Sequence, residues 1–112
     1  MSDTNQSQTQ NAPLFECGNV YATPGFMESV TKVARLIDRK PEQVAATLLR
    51  RHLSGDWGDV DAEDKALNDE SVTNGTRLVS AYHIGDSQTP VKIWIITEAD
   101  RSATTLLLPE EY

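Results

Sequence analysis

A chain of 112 residues with 38% apolar side chains can bury one hydrophobic core and has no material for a second, so one domain is expected. Its formal net charge of -7 argues against bulk attraction to nucleic acid, and no stretch approaches the roughly 18 uninterrupted apolar residues that cross a bilayer. With no basic, then apolar, leader and a single cysteine, Cys17, the reducing cytoplasm is the expected compartment.

In chain order, residues 1–12 are mostly Ser, Thr, Gln and Asn, which predicts a disordered polar tail ahead of one domain over residues 13–112. Leu14, Phe15, Val20 and Tyr21 around Gly18 and Asn19 suit a short strand or turn. Cys17 has Glu16 and Gly18 beside it, neither of which would stabilise a thiolate, so it reads as a small apolar group rather than a nucleophile. Thr23 and Pro24 start a helix, because the threonine oxygen can accept from an orphan amide and a first-turn proline gives up no bond. Phe26, Val30, Val33 with Ala34, and Ile37 form its apolar stripe.

Pro41 opens a second helix through Val44, Leu48, Leu49 and Leu53 to a stop at Gly55, and the two helices form a hairpin. Asp61 and Asp64 mark the start of a third, shorter helix ended by Asn74 and Gly75; its thin apolar face puts it on the surface. From Thr76 the period changes to two, with Leu78, Ser80, Tyr82 and Ile84 on one face. Val91 to Thr97 reads as the central strand, and Thr104 to Leu108 as another that ends at Pro109.

Helices first and strands last favour an α+β fold: a helix hairpin and short third helix packed on a three-stranded antiparallel meander, four-stranded if the N-terminal segment joins. The expected core is Phe26, Val30, Ile37, Leu48, Leu49, Leu78, Ile93, Ile95, Leu106 and Leu108.

Charge is polarised along the chain. Asp56, Asp59, Asp61, Glu63, Asp64, Asp69 and Glu70 face the single base Lys65, whereas Lys32, Arg35, Arg39, Lys40, Arg50 and Arg51 outnumber the acids of the helix hairpin. Asp59, Asp61, Glu63 and Glu70 fall at positions of a calcium-loop template, but Asp64 occupies the place where that loop needs glycine. His and Cys show no metal-ligand spacing, no glycine-rich phosphate loop precedes a helix, and no Ser, His and Asp set has triad spacing, so neither metal nor cofactor is expected.

Polarised charge without a catalytic signature points to an accessory protein that binds a protein partner, as inhibitor or regulator, through Asp56, Trp57, Asp59, Asp61 and Asp64. His52 and Asp56 would stand one helical turn apart if the second helix persisted, and a histidine near a helix end ordinarily bonds the last carbonyls. The alternative is a metal-independent ribonuclease. In it His52 or His83 acts as acid or base, Arg77 and Arg101 stabilise the phosphate, and Thr97 or Tyr82 orients the substrate. A further alternative is a DNA mimic that occupies a restriction or repair enzyme with its acids.

One resemblance runs from Leu14 to Tyr112. It is carried by Ala22, Thr23, Pro24 and Gly25; Arg51 and His52 with Gly55, Asp56, Trp57 and Gly58; Ser80, Ala81 and Tyr82; Trp94 through Ser102; and Leu106 through Tyr112. In these stretches the chain resembles a group of short bacterial proteins found on plasmids, phages and other mobile elements, which implies a mobile-element setting without a particular chemistry. The expected order of helices and meander is also similar to the small ribonuclease-toxin folds of barnase and RelE, although those proteins are usually basic and this chain is acidic.

Overall fold

The computed structural model describes residues 12–112, so the expected polar tail lies outside the described residues except for Ala12. Strand β1 (Asn19–Ala22) leads into helices α1 (Pro24–Leu36), α2 (Pro41–Leu53) and α3 (Ala62–Asn74), then strands β2 (Leu78–Ile84), β3 (Val91–Thr97) and β4 (Ala103–Leu107). A single 3-10 turn, Pro109–Glu111, follows.

Each helix begins where its local chemistry dictates. Thr23 caps α1 by accepting from the Phe26 amide at 3.2 Å, and Pro24 fills the first turn. The Gln43 side chain reaches back to the Lys40 amide at 2.9 Å to open α2. Asp61 caps α3 through the Asp64 amide at 2.8 Å, and Gly75, at φ 77°, closes it in the left-handed conformation.

The sheet order is β1-β4-β3-β2, with β3 inside as expected. Both β2–β3 and β3–β4 are antiparallel, but β1 lies parallel to β4, so the sheet is mixed rather than an antiparallel meander. Three helices separate β1 from the other strands, and a long crossover of this kind permits parallel pairing where a hairpin would forbid it.

Phe26, Val30 and Leu48 from α1 and α2 pack on Tyr82, Ile84, Ile93, Ile95 and Leu106 of one sheet face, with Leu49 and Leu108 partly buried beside them. Leu78 is fully buried as well. Truncating a centre such as Phe26 to alanine would cost about 3–5 kcal/mol. Ile37 does not belong to this core. Helix α1 stops at Leu36, Ile37 takes a cap conformation and Asp38 turns back at φ 55°, so the Ile37 side chain is 56% exposed.

Helix α3 is a surface helix of an uncommon kind. Its buried positions are Asn68 and Ser71, while Leu67 is 55% exposed. Asn68 serves the sheet: its Nδ2 donates to the Val79 carbonyl at 2.8 Å and its Oδ1 accepts from the Val79 amide at 3.2 Å. Beside it, Ala81 donates to the Trp57 carbonyl at 3.0 Å and accepts from the Asp59 amide at 2.6 Å. Gly58, at φ 75°, makes that approach possible, since a Cβ there would lie 2.0 Å from the Ala81 carbonyl oxygen.

Candidate functional site

The two histidines occupy opposite environments. His52, on the last turn of α2, is fully buried and points into the sheet instead of bonding the last carbonyls of its helix. Its Nδ1 lies 2.5 Å from Ser80 Oγ and its Nε2 2.9 Å from Thr97 Oγ1. Thr97 Oγ1 is 2.7 Å from Thr104 Oγ1, which donates to the Cys17 carbonyl at 2.8 Å.

The protons in this chain can be placed. A carbonyl only accepts, so the one hydroxyl proton of Thr104 goes to Cys17, and Thr97 must donate to Thr104. Thr97 therefore accepts from His52 Nε2–H, which leaves Nδ1 as acceptor of the Ser80 hydroxyl proton. Burial, reinforced by the Arg101 charge, drives the imidazole pKa down to about 3, so His52 is neutral. Phe15 and Trp57 seal it, with ring centroids 5.2 and 5.8 Å away, each edge-on. Every donor and acceptor of this histidine is spent inside the fold, and Thr97 is spent with it.

Arg101 is also committed. Its guanidinium donates to the carbonyls of Ser71 and Thr76, each at 2.7 Å, and to those of Glu98 and Ala99 at 3.1 and 3.3 Å. It ties the end of α3 to the β3–β4 connection, where Arg101 itself takes the left-handed φ of 62°. Arg77 lies elsewhere, 5.0 Å above the Tyr112 ring, which in turn meets Trp94 edge-on at 5.8 Å. Six strand positions, about 20 Å, separate Arg77 from His83. The six residues expected to cleave RNA do not form one site: His52 meets Thr97 in the interior, Tyr82 and His83 line a separate hollow, and neither Arg77 nor Arg101 lines it.

A different group assembles around His83. Asp59 Oδ2 is 2.6 Å from His83 Nδ1, and both side chains are open to solvent. Next to them Arg51 Nε donates to Asp56 Oδ2 at 2.7 Å, and its guanidinium lies 4.4 Å above the Tyr82 ring. The hydrogen bond to Asp56 raises the Arg51 pKa, and the same bond from Arg51 lowers that of Asp56. These residues and Gly58 line an open hollow of about 290 Å³. Tyr82 contributes only a wall: its hydroxyl donates to the Asp56 carbonyl, and burial pushes its pKa up to about 12. The remaining chemistry is a histidine whose Nδ1 is held by a carboxylate and whose Nε2 is unused, beside one guanidinium.

The acidic stretch divides into engaged and free groups. Trp57 is 2% exposed and donates to Asp69 Oδ1 at 2.8 Å, so it caps the core edge and is not a contact residue. Asp56 and Asp59 belong to the hollow, and Asp61 to the α3 cap. Asp64 sits in the first turn of α3, where the calcium template would require a loop. Among the described residues Asp61, Glu63, Asp64 and Glu70 form no ion pair, and no group of three or more His, Cys, Asp and Glu side chains is placed to hold a metal ion. Leu67 stands among these free acids, and with Val60 and Val79 it lines a second hollow of about 320 Å³ flanked by Asp64 and Arg77.

Nothing local connects Asp59 to His83 across 24 residues, and Arg51 was legible only as one base among several in the hairpin. The edge-capping role of Asn68 carries no sequence signal at all. Among the described residues no helix is long and apolar enough to cross a membrane. Comparison with protein-family models, with curated proteins and with solved structures gives no match.

Proposed function

We propose that this chain is a cytoplasmic accessory protein that captures a protein partner bearing a basic surface, with the outward face of α3 as the contact. The observation that carries it is the unpaired acidic set Glu63, Asp64 and Glu70 around the exposed Leu67 and its apolar hollow. Free carboxylates steer a basic partner into encounter, and an apolar anchor at their centre supplies contact that salt does not screen. The mobile-element setting implied by the resemblance suits a small protein that regulates or inhibits a larger one.

The test replaces Glu63→Gln, Asp64→Asn, Glu70→Gln and Leu67→Ala together, leaving the Asp61 cap in place. Tagged parent protein should retain a specific partner at low salt and release it at high salt, and the quadruple variant should retain none. Equal retention by both proteins would remove α3 from the contact.

A metal-independent phosphodiesterase acting on RNA is the second function with direct support, from the 2.6 Å His83–Asp59 pair. Here His83 Nε2 takes the 2'-hydroxyl proton as the 2'-oxygen attacks phosphorus, Arg51, which lines the same hollow, faces the phosphate, and the 5'-oxygen leaves with a proton from solvent. Cleavage that survives a chelator and disappears in His83→Ala would support it; purified protein that leaves RNA intact would end it.

A further inference from the structure

The two edges of the sheet are treated differently. At the β2 edge the outward amides and carbonyls of Val79 and Ala81 are all bonded, by Asn68 and by the Trp57–Asp59 backbone, which leaves only those of His83 without a partner among the described residues. The β1 edge is bare. Asn19 and Thr23 donate to the Ser102 and Leu106 carbonyls of the β4 side, both at 3.0 Å, which sets the alternation along the strand. Asn19, Tyr21 and Thr23 direct their main-chain groups to β4, and Val20 and Ala22 direct theirs outward. Among the described residues those outward groups have no partner.

All four residues of β1 are exposed, with Val20 at 46% and Tyr21 at 54%, and none is charged. Bare, uncharged edges with apolar side chains are the kind that proteins otherwise blunt with lysine, proline or a covering loop. The usable edge is short: Gly18 turns away at φ 61°, packed against the Ser102 backbone, and Pro24 begins α1.

We propose that a second copy of this chain covers the edge, with β1 pairing antiparallel to its symmetry mate about a two-fold axis through Tyr21. In that register Val20 faces the second copy's Ala22 and Ala22 faces the second copy's Val20. The two outward residues of each strand exchange amide and carbonyl bonds, so all eight outward groups are satisfied by four hydrogen bonds. Centring the axis on Val20 would place Ala22 against Gly18, which is outside the strand, and leave half of those groups bare. The Tyr21 register also sets the two tyrosines directly opposite one another at a non-hydrogen-bonded position, where cross-strand side chains are closest. The strand itself carries no charge, and the carboxylate nearest its end, Glu111 on Thr23, adds a repulsion between the copies that salt would screen. Two four-residue strands bury little surface, so the association is weak and depends on concentration.

Sedimentation of the full chain over a wide concentration range tests this, alongside Val20→Pro. That substitution removes an outward amide which β4 does not use, so circular dichroism should be unchanged. The parent should show a monomer–dimer equilibrium and V20P should remain monomeric. Register is tested in a Cys17→Ser background, where Tyr21→Cys places two thiols on Cα atoms about 4.5 Å apart, within disulfide reach. Mild oxidation should cross-link Y21C dimers and leave Ala22→Cys mostly uncrosslinked. A parent that stays monomeric at its solubility limit, a dimer indifferent to V20P, or stronger cross-linking through A22C than Y21C would each overturn the pairing.

Discussion

His52 and His83 are the same side chain put to opposite uses, and the difference lies in how many of their ring nitrogens the fold consumes. His52 spends both on hydroxyl groups, under Phe15 and Trp57, and its chain of bonds ends on a backbone carbonyl. His83 spends one on Asp59 and keeps the other in water. A buried, fully satisfied polar network fixes packing, whereas a half-committed exposed histidine is free to exchange protons with a ligand. Chemical identity alone therefore does not nominate a catalytic group; the count of unused donors and acceptors does.

That contrast should appear first in stability. His52→Ala empties a packed site and strips Ser80 and Thr97 of a partner, so urea unfolding should show a loss of about 3–5 kcal/mol. A loss below about 1 kcal/mol would mean that the buried network does not hold the sheet to α2.

The pH dependence gives a smaller effect with a definite sign. A histidine whose folded pKa is about 3 binds its proton more readily in the unfolded chain, so acid favours unfolding. The contribution of His52 is complete above the unfolded value of about 6.5 and is lost progressively as pH falls toward 3, by up to about 4 kcal/mol. Stability measured across that window should fall in the parent and fall less steeply in His52→Gln. Nitrogen NMR should also find His52 as the neutral Nε2–H form at pH 5. A charged imidazole there would contradict the placement of the protons.

His83→Ala should give the smallest stability change, within about 0.5 kcal/mol, because an exposed side-chain contact contributes little. Any larger loss would show that the Asp59 contact secures the Trp57–Asp59 backbone against β2 rather than poising a histidine for chemistry.

Much of this architecture was legible residue by residue. Thr23 with Pro24, Asp61 with Asp64, and Gly75 mark helix ends because capping is local chemistry between residues a few positions apart. The alternation from Leu78 to Ile84 likewise identified a strand with one buried face. Ile37 continued the α1 stripe in sequence and left it in space, because the end of a helix and not its periodicity decides the last turn. Trp57 was expected on the partner surface, and the hydrogen bond to Asp69 together with the Phe15 stack puts it at the core edge instead.

By itself, then, the sequence determined the three helices, the three C-terminal strand segments and the α+β class, all of which rest on short-range periodicity and caps, and it left the N-terminal segment open between strand and turn. Only the tertiary structure decided that β1 lies parallel to β4, that His52 is sealed against Ser80 and Thr97, that Asn68 caps Val79 at the β2 edge, and that Asp59 meets His83. Each of those contacts joins residues 11 to 84 positions apart, as Asn68 with Val79 and Ala22 with Leu106 show at the two extremes. Closing such loops is driven by burial of the whole core, a collective quantity to which no local pattern points.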